Sequence, residues 1–279
     1  MIGTGGYICV PTVIAAKKLG IPVVLHESNA FPGIAVKLFK NKADKILVGF
    51  KDAKERLDNK KNVIVTGNPI KIKKIDYTES QKEKVKSELG LKLNKPMVLV
   101  FGGSQGAQSI NRSFIEIIVN KKNKDYQIMW AAGPEQYEKI KEKLSEVNID
   151  IEKIENAKIV PYIYNMEEVM NVADLVVCRS GAMTITEVSV VGKPAIFIPF
   201  PFATENHQEY NARVLEKVGA AKIILDKDIN SELLGNTINR IIKNTHDLEE
   251  MGKNAEKVAI KNVEDNIYKE IKEVINDKK

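Results

Sequence analysis

The sequence of 279 residues, 43% hydrophobic and 29% charged, is ordinary for a globular protein with a full core and long enough for two domains. Its two cysteines, Cys9 and Cys178, exclude a disulfide scaffold, and no apolar run reaches the roughly 18–20 residues that would span a bilayer. The net charge of +6 comes mainly from lysine. Because there is no basic stripe with interleaved aromatics, an ordinary basic surface or an anionic membrane partner is favoured over nucleic acid.

Short apolar runs rich in β-formers alternate with longer amphipathic stretches. The predicted strands are Pro22–Leu25, Lys45–Val48, Val63–Thr66, Met97–Phe101, Gln127–Ala131, Lys158–Val160, Leu175–Cys178, Ala195–Pro199 and Ala221–Leu225. The predicted helices are Gln81–Leu89, Ala107–Asn120, Glu135–Val147, Thr184–Val191 and Asn206–Val218, followed by a helical tail over Ser231–Lys279. Continuous apolar strands separated by helices indicate parallel sheets buried on both faces. The predicted fold class is therefore doubly wound α/β.

The best domain boundary is Gly67-Asn68-Pro69, which closes one α/β segment before a lysine-rich stretch. Most predicted strands follow it, enough for a complete Rossmann-like domain. Only three precede it, and no strand is predicted to lead into Gly3–Gly6, so the first segment looks truncated. Met1–Ala16 lacks a charged n-region and is not predicted to be a signal peptide.

A glycine loop, Gly102–Gly106, follows a predicted strand and opens a helix. Glycines there let a ligand approach the backbone closely, and the exposed amides of the helix start favour an anion such as phosphate. The hydroxyl of Ser104 could add a donor to that site. A plain tight turn has the same composition, so the loop alone leaves both interpretations open.

A second strand–turn–helix, Cys178–Glu187, presents another helix start near Ala182. Thr184 and Glu187 have the spacing of a capping box. A carboxylate at position 187 could instead accept hydrogen bonds from a ribose diol, as carboxylates do in dinucleotide sites. Spacing alone favours the cap.

Three further clusters of polar residues are candidates for a site. Two of them follow predicted strands, and one lies in a predicted helix. His26–Asn29 could serve acid–base work or sugar hydroxyls, or could cap the next helix. His207 and Gln208 lie in a helical pattern, where an exposed surface pair is the simpler interpretation. Asp226 and Asp228 match the acidic pair of many metal-dependent glycosyltransferases, but their position before a helix favours an N-cap.

Seven short segments, in this order, resemble the signatures of one family, the MurG glycosyltransferases. Such enzymes add N-acetylglucosamine to undecaprenyl-pyrophosphoryl-N-acetylmuramoyl-pentapeptide. The resemblance covers essentially the whole chain, and chance could supply one glycine loop but not seven ordered signatures. The segments are Gly3–Tyr7, His26–Asn29, Gly67–Pro69, Gly102–Ala107, Val177–Ala182, Gly192–Ala195 and Gln208–Ala212.

The resemblance implies a GT-B fold, in which two Rossmann-like domains face a cleft. Residues 1–67 would be the remnant of an acceptor-side domain, residues 68–262 the UDP-sugar-binding domain, and residues 263–279 a helix packing back on the first domain. It implies an inverting hexosyltransferase of peptidoglycan synthesis, peripheral to the cytoplasmic side of the cell membrane, with no cofactor and no metal. Its partners would be UDP-N-acetylglucosamine, an undecaprenyl-linked acceptor and an anionic membrane surface.

The implied contacts to UDP-N-acetylglucosamine carry over residue by residue. Ser104 and a helix start under the diphosphate would hold the phosphates, Ile163 would contact uracil through its backbone, and Glu187 would bind ribose. Asn29 and Gln208 would hold sugar hydroxyls. The full set of implied donor-binding residues is Asn29, Lys71, Ser104, Ile163, Ala182, Met183, Thr184, Ile185, Thr186, Glu187 and Gln208.

The chain departs from the family pattern at two places. Ile70-Lys71 stands where the family usually has an arginine. A lysine can still pair with a phosphate as a point charge, but it cannot donate the two parallel hydrogen bonds of an arginine. The family's first glycine loop, with a histidine often proposed as the base, has no counterpart, and roughly the first quarter of a full-length enzyme is expected to be missing. The base is therefore unassigned, with His26 and Glu27 as secondary candidates. A chain without that part is expected to bind donor but transfer poorly, which keeps two alternatives open: a non-catalytic UDP-sugar-binding fragment and a UDP-N-acetylglucosamine 2-epimerase.

Overall fold

The computed structural model describes residues 1–103 and 107–276, which form two parallel sheets with helices packed on both faces. The strands are β1 Ile2–Gly3, β2 Val24–Glu27, β3 Lys45–Val48, β4 Val63–Val65, β5 Met97–Phe101, β6 Gln127–Ala131, β7 Ala157–Val160, β8 Leu175–Cys178, β9 Ala195–Phe197 and β10 Ala221–Ile223. The helices are α1 Cys9–Lys18, α2 Ile34–Phe39, α3 Lys51–Arg56, α4 Glu79–Glu88, α5 Gln108–Val119, α6 Pro134–Glu146, α7 Met166–Val172, α8 Ala182–Val191, α9 His207–Glu216, α10 Ser231–Ile242, α11 Thr245–Glu256 and α12 Val263–Asn276. The predicted α/β class is confirmed.

The first sheet has the strand order β1-β2-β3-β4, with every pair parallel. The prediction that no strand leads into Gly3–Gly6 is wrong, because Ile2 and Gly3 pair in register with Val24 and Leu25. A two-residue strand is too short to give a recognisable apolar run. The glycine loop that begins at Gly3 therefore lies at the carboxyl edge of this sheet.

Helix α12 covers one face of the first sheet. Val274 packs with Val24 and Leu47 in a small buried cluster. Lys45 of β3 forms ion pairs with Glu270 and Glu273, and although burial opposes it, these two carboxylates raise the pKa of Lys45. The last helix thus returns to the start of the chain.

The prediction of one continuous helical tail is wrong, because the tail divides into α10, α11 and α12. Asn244 ends the continuity between the first two: its side-chain oxygen accepts from Asp247 N at 3.2 Å and begins a new helix. Asparagine is a strong N-cap. The repeat of apolar residues does not by itself show where one helix ends and the next begins.

The second sheet has the order β10-β9-β8-β5-β6-β7, again with all pairs parallel. Its two faces carry separate cores, one around Met97 and Leu99, the other around Phe114 and Trp130. The direction in which successive strands are added reverses between β5 and β8. In open α/β sheets the crevice at this switch point, outside the carboxyl ends of the strands, is where ligands bind.

Candidate functional site

A cavity of about 980 Å³ lies at the switch point of the second sheet. Phe101, Gly102 and Gly103 reach it from the end of β5, and Arg179 and Gly181 from the end of β8. Gly103 has a φ of +89°, a conformation that residues with a Cβ rarely adopt. The two loops singled out by their glycines in the sequence therefore meet at one cavity.

In the part of the chain that the structure describes, no side chain caps the start of helix α8 at this cavity. Its N-cap residue is Gly181, and the first helical hydrogen bond runs from Ile185 N to Gly181 O at 3.0 Å. The amides of Ala182, Met183 and Thr184 come before that bond. Free amides and the positive end of the helix dipole together favour an anion here.

Glu187 lies on the second turn of α8, so the capping-box interpretation of Thr184 and Glu187 is wrong. The carboxylate is half-buried, and burial raises its pKa. Within residues 1–103 and 107–276 it has no hydrogen-bond or ion-pair partner. A desolvated carboxylate without a partner is costly to keep, which is typical of a ligand-binding group.

Gln208 is held in a fixed orientation at the same cavity. Its side-chain oxygen accepts hydrogen bonds from Ser180 N at 3.2 Å and Phe200 N at 3.0 Å. Both partners can only donate, so the amide NH₂ of Gln208 points the other way, and the residue lines the cavity. The interpretation of Gln208 as half of an exposed surface pair is wrong.

Arg179 organises the loops around the cavity. Its guanidinium donates to the carbonyls of Ile198 and Pro199, each at 3.1 Å, and forms an ion pair with Asp226. Ser109, in the first turn of α5, also donates to Asp226 and lies 3.2 Å from the guanidinium. One half-buried arginine thus joins the ends of β8, β9 and β10 to α5.

The N-cap interpretation of Asp226 and Asp228 is wrong. The residue that caps α10 is Asn230, whose side chain accepts from Glu232 N and Leu233 N. Asp226 is instead committed to the arginine network.

Asn211 joins the two halves of the chain. It is completely buried, its oxygen accepts from Ala30 N at 2.8 Å, and its NH₂ donates to Asn29 Oδ1 at 3.0 Å and Ser180 O at 3.2 Å. The loop after β2 is therefore fixed against the loop after β8, and the side chain of Asn29 is oriented by a residue 182 positions away.

Asn68 makes a second contact of the same kind. Its NH₂ donates to Ser28 O and to Thr186 Oγ1, both at 3.0 Å. Thr186 in turn donates to Ala182 O at 2.9 Å, so its hydroxyl is committed to the junction. A Cβ at Gly49 would lie 2.3 Å from Asn68 Oδ1, so only glycine fits beside this amide.

A second cavity, of about 480 Å³, lies between the glycine loop of the first sheet and the start of α9. Glu27, which lines it, accepts from Asn29 N at 2.9 Å and Gly33 N at 2.7 Å. His26 is buried and does not line this cavity; its Nε2 is 3.2 Å from Gly67 O. Both secondary base candidates therefore support the loops of the first sheet.

The remaining residues predicted to bind the donor lie in different surroundings. Ser104 lies outside the described residues. Lys71 is exposed in the segment that leads to α4 and lines neither of the two cavities. Ile163 is buried beyond β7, whereas the side chain of Ile185 belongs entirely to the core and that of Met183 is exposed. Sequence patterns did not single out Arg179, Asn211 or Asp226 for the roles found here, because their partners are distant in the chain.

Two family models match the chain. Residues 97–267 match the glycosyltransferase family 28 C-terminal domain, and residues 1–48 match the corresponding N-terminal domain. The second and larger sheet lies within the first of these matches. The cavity at the switch point is therefore built by residues that the C-terminal family model covers.

Two curated relatives are similar over nearly the whole chain, and both are named UDP-N-acetylglucosamine–N-acetylmuramyl-(pentapeptide) pyrophosphoryl-undecaprenol N-acetylglucosamine transferase. The protein from Acetivibrio thermocellus is 39% identical over 279 residues, which are 100% of this chain and 73% of the relative. The one from Ruminiclostridium cellulolyticum is 41% identical over 275 residues, 99% of this chain and 74% of the relative.

Solved structures agree with the sequence relatives. MurG from Acinetobacter baumannii superposes with a TM-score of 0.77 at 27% identity, over 98% of this chain and 74% of that one. The UDP-GlcNAc 2-epimerase from Neisseria meningitidis, bound to UDP-GlcNAc, gives a TM-score of 0.66 at 15% identity, over 98% of this chain and 76% of that one. The second likeness shows a shared fold alone.

Proposed function

This chain belongs to the MurG family within glycosyltransferase family 28, and from that premise we propose that it transfers N-acetylglucosamine from UDP-N-acetylglucosamine to lipid-linked N-acetylmuramoyl-pentapeptide. The observation that carries this function is the 39% identity over all 279 residues to a relative of that name. The fold is GT-B, and the chain is an N-acetylglucosaminyltransferase of peptidoglycan synthesis.

The domain assignment is also a proposal. Residues 1–67 are assigned to the acceptor side, since β1 to β4 all lie there, and residues 68–262 to the donor-binding domain with β5 to β10. Residues 263–279 are assigned to a C-terminal segment whose helix α12 returns to the first domain, as the contacts of α12 with β3 support. The acceptor and donor would then meet at the junction joined by Asn68 and Asn211.

The donor is assigned to the cavity at the switch point. The amides of Ala182, Met183 and Thr184 would face the diphosphate, and Glu187 would accept hydrogen bonds from the ribose hydroxyls. The fixed NH₂ of Gln208 and the oriented amide of Asn29 would hold sugar hydroxyls. Support comes from the free helix start, the unpaired carboxylate and the two constrained amides.

Further donor contacts are proposed for the backbone of Ile163, for Lys71 and for the rest of α8. The backbone of Ile163 is proposed for uracil, because its peptide groups have no hydrogen-bond partner in the described part of the chain. Lys71 is proposed for a phosphate on its charge alone. Ile185 and Thr186 would contribute only as part of the helix that carries the amides, since their side chains face the core and the junction.

The chemistry follows from this arrangement. An acceptor hydroxyl attacks the anomeric carbon of N-acetylglucosamine, and the bond from that carbon to the diphosphate oxygen breaks with inversion. Negative charge grows on the leaving UDP as the bond breaks. Pre-oriented amides at the start of α8 stabilise that charge at no reorganisation cost, and this is a major source of catalysis in such reactions.

We expect the chain to move radiolabelled N-acetylglucosamine from its UDP donor into the organic-extractable lipid acceptor, with UDP released in equal amount. ADP-linked sugar is the matched control and should give no label above background, because adenine does not fit contacts made for uracil. Label recovered as free UDP-N-acetylmannosamine instead would identify an epimerase. Binding of the donor by calorimetry without any transfer would identify a non-catalytic UDP-sugar-binding protein.

A membrane surface is proposed as a further partner, with the protein peripheral on its cytoplasmic side. Among residues 1–103 and 107–276, no helix combines the length and apolar character needed to cross a bilayer. Tyr7 and Ile34 are exposed apolar side chains at the second cavity, and Leu38 extends the exposed face of α2 by one turn. Exposed lysines stand at the end of α1 (Lys18) and just after α2 (Lys42), and apolar residues with lysines are what an anionic bilayer surface binds.

Sedimentation with vesicles tests this surface. The chain is expected to pellet with phosphatidylglycerol vesicles and much less with phosphatidylcholine vesicles, and Leu38→Ser should reduce the pelleted fraction several-fold. Ile275→Ser is the matched control, because Leu38 and Ile275 are both 55% exposed, yet Ile275 lies at the far end of α12. Equal losses for the two variants would rule out the proposed surface.

A further inference from the structure

The second cavity is lined by three side chains whose chemistry allows them to accept a proton: Glu27, Glu205 and His207. Both oxygens of Glu27 accept from amides of the loop that follows it. Glu205 is paired with Lys37 at 2.7 Å. His207 is therefore the member of this set whose proton-accepting atom is left for a ligand.

The tautomer of His207 follows from its one hydrogen bond. Nδ1 lies 2.8 Å from Thr204 O, and a carbonyl can only accept, so Nδ1 carries the proton. Nε2 then has a lone pair, and no group of the described chain donates to it. An imidazole held through Nδ1–H with Nε2 open is arranged to receive a proton.

The backbone turns sharply just before His207. Glu205 and Asn206 have φ angles of 52° and 55°, both in the left-handed region. This turn starts α9 at His207 and places the imidazole within hydrogen-bond distance of Thr204 O.

His207 and its neighbour in sequence line different cavities. The next residue, Gln208, lines the switch-point cavity, while His207 lines the cavity on the first-domain side. Asn29 lines that second cavity too and is tied through Asn211 to Ser180, beside the start of α8. A hydroxyl entering from the second cavity toward a sugar held by Gln208 and Asn29 would pass the imidazole.

We propose that His207 is the general base of the transfer, an inference that rests on the proposed function. As the acceptor oxygen bonds to the anomeric carbon, its hydroxyl proton passes to Nε2. The bond between that carbon and the diphosphate oxygen breaks, and its electron pair leaves with UDP. The imidazolium then releases its proton to water, so charge and atoms balance.

The test compares His207→Gln with His246→Gln, a control in which an exposed histidine outside both cavities is changed identically. We expect His207→Gln to lower kcat for sugar transfer by about 100- to 10,000-fold, the usual worth of a positioned base. Its Kd for UDP-N-acetylglucosamine should stay within about threefold of the unmodified chain, and His246→Gln should match the unmodified chain in both. Free imidazole should restore part of the lost rate to His207→Ala, which a purely structural role does not predict.

Nitrogen NMR gives a readout that does not depend on turnover. The chain has three histidines, so the two glutamine variants assign the imidazole signals directly. His207 is expected to carry its proton on Nδ1, and its Nε2 signal should move when a short-chain lipid-linked acceptor is added. A proton on Nε2 in the free protein would overturn the proposal, as would a transfer rate for His207→Gln within threefold of the unmodified chain. If the unmodified chain transfers no sugar, the proposed function fails, and the tautomer and acceptor response still decide the placement of His207.

Discussion

Replacing Arg179 with alanine is expected to lower the free energy of unfolding by about 2–3 kcal/mol, between the cost for an exposed ion pair and that for a fully buried one that loses a partner. The arginine and Asp226 side chains are only 13% and 21% exposed. Removing the guanidinium leaves the Asp226 carboxylate with the Ser109 hydroxyl but without its ion-pair partner, and it deprives the Ile198 and Pro199 carbonyls of their shared donor. Each of these losses adds to the cost, since a polar group left unsatisfied when buried loses its full solvation.

The chain contains a matched control for this variant. Arg213 also forms ion pairs, with Glu209 and Glu216, but its side chain is 46% exposed. Arg213→Ala should cost less than about 1 kcal/mol, as exposed pairs usually do. Urea unfolding of both variants measures the difference, and equal costs would contradict the importance assigned to burial. Because Arg179 holds the loop whose Phe200 amide orients Gln208, its loss should also weaken donor binding.

Much of the architecture follows from sequence because its signals are local. A fully buried strand such as Met97–Phe101 is a run of apolar residues, and the glycines that follow it mark the turn into a helix. Those two signals locate each loop in the sequence, and the structure shows that Gly102–Gly103 and the start of α8 line one cavity. The two-residue strand β1 gave no such signal, and it was missed.

The contacts that shape the site are not local, and no spacing in the sequence encodes them. Asn211 and Asn29 are 182 positions apart, and Asp226 meets Ser109 across 117. Asp226 looked like a helix cap because only its immediate neighbours were visible in the sequence. Glu187 looked like one for the same reason, although Gly181 begins the helix. Family resemblance supplied the roles that periodicity and spacing could not.

Glu187→Gln is expected to stabilise the free protein and weaken its binding of UDP. Burial raises the pKa of Glu187, so the folded chain keeps its proton to higher pH than the unfolded chain does. The contribution of Glu187 to the free energy of unfolding is therefore lost as pH rises through the folded-state pKa. At neutral pH the ionised carboxylate destabilises the folded chain. Glutamine has nearly the same shape and no charge, so it removes that cost, and urea unfolding at pH 7 should show a higher free energy of unfolding.

The loss of UDP affinity has the opposite sign because the carboxylate is assigned to the ribose. Hydrogen bonds to a charged group contribute about 1.5–3 kcal/mol, which corresponds to a 10- to 150-fold increase in Kd when the charge is removed. Calorimetry with UDP and 2′-deoxy-UDP separates this contact from any general change in the cavity. The unmodified chain should bind 2′-deoxy-UDP at least tenfold more weakly than UDP, whereas Glu187→Gln should bind the two almost alike. Discrimination that survives the substitution would place the ribose elsewhere and leave Glu187 a half-buried carboxylate whose cost has no functional reason.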